Sequence, residues 1–141
     1  MTPSIHELFD KFALLTTKNE RINFLQQSKS PIFLQYLKNA LDPSIQYYIS
    51  KFPDLYIEPT DMLPGIEYST IAQELRRSYL FQKGNPTADS LTEQKRKELL
   101  TQILEALHPR EADFFVRMLS KNLKVPYLTT NLVNEAFPTL L

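Results

Sequence analysis

The feature that most constrains this chain is the way proline and small polar residues mark where helices begin. Ten prolines and only two glycines occur in 141 residues. Ser30-Pro31, Asp42-Pro43 and His108-Pro109 each place proline at a first helical position, where its missing N–H costs nothing and its fixed φ is already helical. Ser4-x-x-Glu7, Thr17-x-x-Glu20 and Ser90-x-x-Glu93 have the pattern of a capping box. In that pattern a hydroxyl satisfies an early amide and the glutamate reaches back to the cap. Six helix starts are therefore expected.

Apolar spacing extends these starts into helices near 5–16, 18–28, 31–41, 43–51, 69–82, 91–107, 109–122 and 129–137. Ile5, Leu8, Phe9, Phe12 and Leu15 make one stripe, and Leu99, Leu100, Ile103, Leu104 and Leu107 make another. Residues 52–67, FPDLYIEPTDMLPGIE, carry three prolines and a glycine and read as an irregular connection. Lys83-Gly84-Asn85-Pro86 is a second break, with Gly84 suited to a left-handed helix terminus. The expected fold class is all-α over residues 1–141. One multi-helix domain is expected, with two helical halves joined by the proline-rich loop as the alternative within it.

A chain of this size can bury roughly two-thirds of its unfolded surface in one core. With no cysteine and two histidines, a disulfide framework is excluded and a zinc site is not expected. Glu7, Asp10 and Lys11 interrupt the N-terminus before any signal-peptide core, and no run approaches a membrane span. A soluble intracellular protein with no membrane partner is expected. Net charge is zero, unlike a DNA-condensing protein. However, residues 76–124 hold ten Lys/Arg against six Asp/Glu, so an anion site belongs there.

The enzymatic inventory is thin. Gly65 and Gly84 stand alone, there is no cysteine nucleophile, and His6 and His108 read as first-turn and cap residues. No cofactor, metal or catalytic residue is implied. Lys95-Arg96-Lys97 points in three directions on a helix and reads as solvated surface. Arg76-Arg77 complements a helix C-terminus, although Arg76 and nearby Lys83 are also candidates for phosphate contact. The stronger signal is at the end of the chain. Arg110, Arg117, Lys121 and Lys124 fall within about 60° of one another on an ideal helix. They lie opposite Ala112, Phe115, Leu119 and Leu123. A cationic ridge of this kind, followed by a break at Val125-Pro126 and a new helix start at Thr129 or Thr130, can grip a phosphate backbone.

The segments that carry this ridge are Arg117-Met118-Leu119, Leu123-Lys124-Val125-Pro126 and Thr129 to Phe137. Together with Ile45 to Pro53 and Ala136-Phe137-Pro138, they resemble the N-terminal DNA-binding domain of ATP-dependent DNA ligases of bacteriophage type. The resemblance runs from about residue 31 to the C-terminus. It implies a helical domain that holds duplex or nicked DNA through backbone and minor groove, with roles in DNA replication and repair. The implied setting is the cytoplasm of a bacterium or a phage-infected host. The implied contacts are Arg117, Lys124 and Thr129 to Asn131 (Thr129, Thr130 and Asn131), and the implied partner is a ligase catalytic core in the same or another chain.

Two positions depart from the family pattern. Pro126 stands where a glycine is usual, and Lys124 stands where an arginine is usual, which exchanges bidentate for point-charge contact. The adenylation motif Lys-x-Asp-Gly is absent, so this chain alone is not expected to be an enzyme. The leading expectation is a non-catalytic duplex DNA-binding domain of ligase type. Three or four phosphate contacts would give a log-log salt slope of about −3 to −4. The rival is a helical protein-interaction module, or a phage accessory protein that reuses the same fold. It would present Tyr47, Tyr56, Tyr68 and Tyr127 to a partner.

Overall fold

In the computed structural model, residues 4–58 and 69–141 are described. Their element order is α1 (Ile5–Phe12), α2 (Lys18–Gln27), α3 (Pro31–Leu41), α4 (Ile71–Glu74), a 3-10 helix (Leu75–Phe81), α5 (Pro86–Ser90), α6 (Glu93–Ala106), α7 (Pro109–Leu119) and α8 (Thr130–Ala136). The fold is all-helical. Its one β-type feature among the described residues is an isolated antiparallel bridge between Tyr47 and Gln82.

Local chemistry explains most of the starts. Thr17 accepts from the Glu20 amide at 3.2 Å and donates to its carboxylate at 2.9 Å. Ser30 accepts from the Phe33 amide at 3.1 Å, with Pro31 opening α3. His108 Nδ1 accepts from the Arg110 amide at 3.1 Å, with Pro109 opening α7. Thr129 caps α8 through the Leu132 amide at 3.1 Å. Ser4 sits at the α1 start but donates to the Glu7 carboxylate at 2.9 Å and accepts no helix amide there.

Three sequence expectations are corrected. Residues 43–51 form no helix. The Asp42 carboxylate accepts from both the Ser44 amide, at 2.9 Å, and the Ser44 hydroxyl, at 2.7 Å, closing a local turn. The chain then runs alongside residues 81–83. There the Tyr48 amide donates to the Phe81 carbonyl and the Lys83 amide to the Gln46 carbonyl, each at 2.8 Å. Second, the 69–82 stretch has only one α turn, opened by a Thr70/Gln73 capping box, before tightening to 3-10 geometry. Third, Thr92 and not Ser90 caps α6, accepting from the Lys95 amide at 3.1 Å. Asn85-Pro86 nucleates the short α5, which runs through Ser90. Gly84 takes the expected left-handed conformation at φ +90°.

The core is continuous. α7 lies at its centre and packs on α1, α3, α4 and α6, while α8 packs on α2. Phe9 gathers the rings of Phe33, Tyr36 and Phe114 at centroid distances of 5.2 to 5.9 Å. The buried Tyr36 hydroxyl donates to the Phe114 carbonyl at 2.6 Å, fixing α3 against α7. α3 also meets the 3-10 helix, so the halves on either side of residues 52–67 share one core in a single domain. Residues 52–58 carry no helix, and the rest of that connection lies outside the described residues. No helix among the described residues is long and apolar enough to cross a membrane.

Candidate nucleic-acid interface

The cationic ridge does not survive as one helical face. α7 ends at Leu119, and Lys121 turns into the left-handed region at φ +60°. Lys121 and Lys124 therefore leave the helix that was expected to align them. Three of the four cations are also held within the protein. Arg110 makes a two-pronged pair with Asp10, both contacts at 2.7 Å, which joins α7 to α1. Arg117 pairs with Asp113 at 2.8 Å and donates to the Leu123 carbonyl at 2.9 Å. Its guanidinium lies 4.5 Å from the Phe114 ring centroid.

Lys121 is turned inward. Its amine donates to the carbonyls of Asn39 at 2.5 Å and Asp42 at 2.8 Å, taking up acceptors left by the end of α3. Burial pushes this amine down to about 8, against the pull of the Asp42 carboxylate. Lys121 thus fastens the chain after α7 to the end of α3. Lys124 is exposed, at φ +53°. Lys124 and Tyr127, at φ +67°, supply the left-handed turns around Pro126 that the proline ring itself cannot adopt. A non-glycine residue in this region costs about 1 kcal/mol or more.

A different grouping forms beside α7. Two adjoining hollows of about 410 and 360 Å³ share Phe52 and Asp113 as lining residues. The wall from α7 uses residues 109, 110, 113, 116, 117 and 120, the spacing of one helical face. The opposing wall comes from the segment 50–58. The larger hollow gathers Lys51, Arg117 and Lys124 with Ser50, Ser120 and Asn122, and Asp113 is its one carboxylate. Among the described residues, Lys51 and Lys124 take part in none of the ion pairs, whereas Arg117 is already partnered. The smaller hollow is lined by Phe52, Tyr56, Glu58, Pro109, Arg110 and Asp113.

Lys51 was missed because its segment was expected to be helical. Its tertiary position follows from the bridge to residues 81–83, which no local pattern announces. The remaining candidates, Arg76, Lys83, Thr129, Thr130 and Asn131, line neither hollow. Arg76 is exposed on the 3-10 helix, and Thr130 and Asn131 are exposed at the start of α8. Lys83 sits 5.9 Å from the Tyr48 ring centroid, which Arg96 also covers at 3.7 Å. The Tyr48 hydroxyl donates to Asp89, which also accepts from the Gly84 amide at 3.0 Å. Arg96, which also donates to the Ala88 carbonyl at 2.8 Å, and Tyr48 thereby hold the α5 region, while Lys83 is exposed beside them.

Of the tyrosines considered for a protein contact, Tyr47 is buried and Tyr56 is half-buried. Tyr68 lies outside the described residues. Tyr127 is 68% exposed, with Arg21 3.9 Å from its ring centroid. His6 and His108 stack at 5.5 Å with nearly parallel rings. Burial, with Arg110 and His108 nearby, holds the His6 imidazole below its ordinary value. No cluster of three or more His, Asp or Glu among the described residues is placed to hold a metal ion.

Residues 9–125 match a family described as a family of unknown function (DUF6433), and the chain belongs to that family. No curated protein matches it.

Proposed function

We propose that this member of the family is a non-catalytic DNA-binding domain of ligase type, which holds duplex or nicked DNA through its phosphates at the Lys51–Arg117–Lys124 hollow. One observation supports this reading above the others. Two of the segments that resemble the ligase domain, residues 45–53 and 117–126, lie more than sixty positions apart in sequence and form opposite sides of one cationic groove. Cations from separate segments that face one hollow can contact phosphates of one strand, and such contacts position a duplex without reading its sequence. Arg117 is held rigid by Asp113 and by the Leu123 carbonyl, which sets its remaining donors in a fixed direction.

Arg110 and Lys121 are reassigned on this reading. They join α7 and its following turn to α1 and α3. A ligase catalytic core, in the same or another chain, would supply the sealing chemistry. The test is fluorescence anisotropy of labelled nicked and intact duplexes with wild-type protein and with Lys51→Glu/Lys124→Glu. Binding that is lost in the double variant supports the reading. Equal binding by both proteins, or none by wild type at low salt, overturns it.

A second reading, a protein-interaction module, is favoured by one observation. Tyr127 is the most exposed aromatic among the described residues, with Arg21 3.9 Å from its ring centroid, and Leu14 in the α1–α2 connection is 80% exposed. Retention of wild-type DNA affinity in the double charge variant would move the assignment to that surface.

A further inference from the structure

The two hollows differ in chemistry. The larger is cationic. The smaller combines aromatic rings, a proline, a fixed guanidinium and two carboxylates. Phe52 and Tyr56 pack at 5.0 Å between centroids, tilted by 32°. Both terminal nitrogens of Arg110 are taken by Asp10, which fixes the guanidinium plane. Arg110 covers none of the aromatic rings among the described residues.

Phosphate is disfavoured in this smaller hollow, because Glu58 and Asp113 line it while Arg110 is already neutralised by Asp10. A nucleobase has the complementary properties. It is planar and uncharged, it stacks on aromatic and guanidinium planes, and its exocyclic amino groups donate to carboxylates. A hollow of about 360 Å³ is at the lower end of the size range of small-ligand sites.

We propose that the smaller hollow receives a single unpaired base from a strand whose phosphates continue onto Lys51 and Lys124, so that the preferred ligand is DNA carrying an unstacked nucleotide. The inference rests on the nucleic-acid reading above and deepens it. The base stacks against Phe52, Tyr56 and the plane of Arg110, with Glu58 and Asp113 receiving its amino group. Adenine, guanine and cytosine are accepted better than thymine, which has no exocyclic amino group. Phe52 and Asp113 belong to both hollows, so a base and its neighbouring phosphate can occupy them together.

The experiment compares two nicked duplexes of identical length containing 2-aminopurine, either paired within the duplex or carried as a one-nucleotide 5′ flap at the nick. The flap substrate is expected to bind roughly tenfold more tightly, as base-aromatic stacking allows, with quenching of its fluorescence. The affinity ratio of flap to paired substrate falls toward one in Tyr56→Leu and also in Glu58→Gln, an exposed substitution that leaves packing intact. A thymine flap binds less well than a cytosine flap. Equal affinities with unquenched fluorescence, or a ratio preserved in both variants, overturn the base-binding hollow while leaving duplex binding in place. Failure of both duplexes to bind at low salt overturns the hollow together with the reading on which it rests.

Discussion

Salt dependence offers the sharpest discrimination between the groove and a four-cation ridge. Each phosphate neutralised on B-form DNA contributes about −0.9 to the slope of log affinity against log salt. Four equivalent cations at Arg110, Arg117, Lys121 and Lys124 would give about −3.6. In the structure, Arg110 is paired with Asp10 and Lys121 donates to two backbone carbonyls. That leaves Lys51 and Lys124 in full and Arg117 in part, for two to three contacts and a slope of about −1.8 to −2.7. Between 50 and 200 mM salt the affinity for duplex should therefore fall about 12- to 42-fold, where the ridge would give about 150-fold. Lys51→Gln/Lys124→Gln should remove about 1.8 from the slope, while Arg110→Gln leaves the slope for intact duplex unchanged. Anisotropy titrations at five salt concentrations measure all three proteins. A wild-type slope near −3.6, or a double variant that keeps the wild-type slope, is incompatible with phosphate contact at Lys51 and Lys124 alone with part of Arg117.

Four further outcomes concern the scaffold. Tyr36→Phe should cost about 1 kcal/mol in urea denaturation, because it removes the hydroxyl bonded to the Phe114 carbonyl. By contrast, Tyr47→Phe should be neutral or stabilising, because the buried Tyr47 hydroxyl has no hydrogen-bond partner among the described residues. Lys124→Gly relieves a left-handed φ of +53° and should raise stability by about 0.5–1 kcal/mol while weakening DNA binding, so stability and affinity move in opposite directions. The fourth outcome concerns pH. His6 is held below 6.5 in the fold, so the unfolded chain binds its proton first and the His6 contribution is complete above pH 6.5. That contribution should decline as pH falls from 6.5 through the folded value, and His6→Gln should flatten the dependence in that window. A second loss follows at lower pH, where Asp10, Asp42 and Asp89 are protonated below their ordinary value of 3.8.

The helices were legible where the deciding chemistry is local. Thr17, Ser30-Pro31, His108-Pro109 and Thr129 each meet their amide partner within three residues, so sequence spacing carries the whole argument. Asp42-Pro43 has the same local signature but a different outcome. An aspartate can satisfy either a helix amide or a turn amide, and pairing of the following residues with 81–83 selects the turn. Ser90 lost its expected role because Asn85-Pro86 starts a helix upstream that absorbs it.

The ridge failed for a related reason. The Asp113–Arg117 pair is four residues apart and could be read directly. The partners of Arg110 and Lys121, at Asp10, Asn39 and Asp42, are 79 to 100 residues away. Helical periodicity registers which cations share a face but not which are already neutralised. Nor could it place Lys51, whose position depends on an extended segment held by an isolated bridge.

On the proposed function, DNA lies in the groove between residues 50–52 and the end of α7. The most direct test is to map amide chemical-shift changes in isotope-labelled protein as nicked duplex is added. The largest changes should fall on Ser50, Lys51, Phe52, Arg117, Ser120, Asn122 and Lys124, with little change at Arg76, Lys83 or Lys95. Changes concentrated on Arg76, Lys83 and Lys95, or on Tyr127 and Leu14, with the groove unperturbed, overturn that placement.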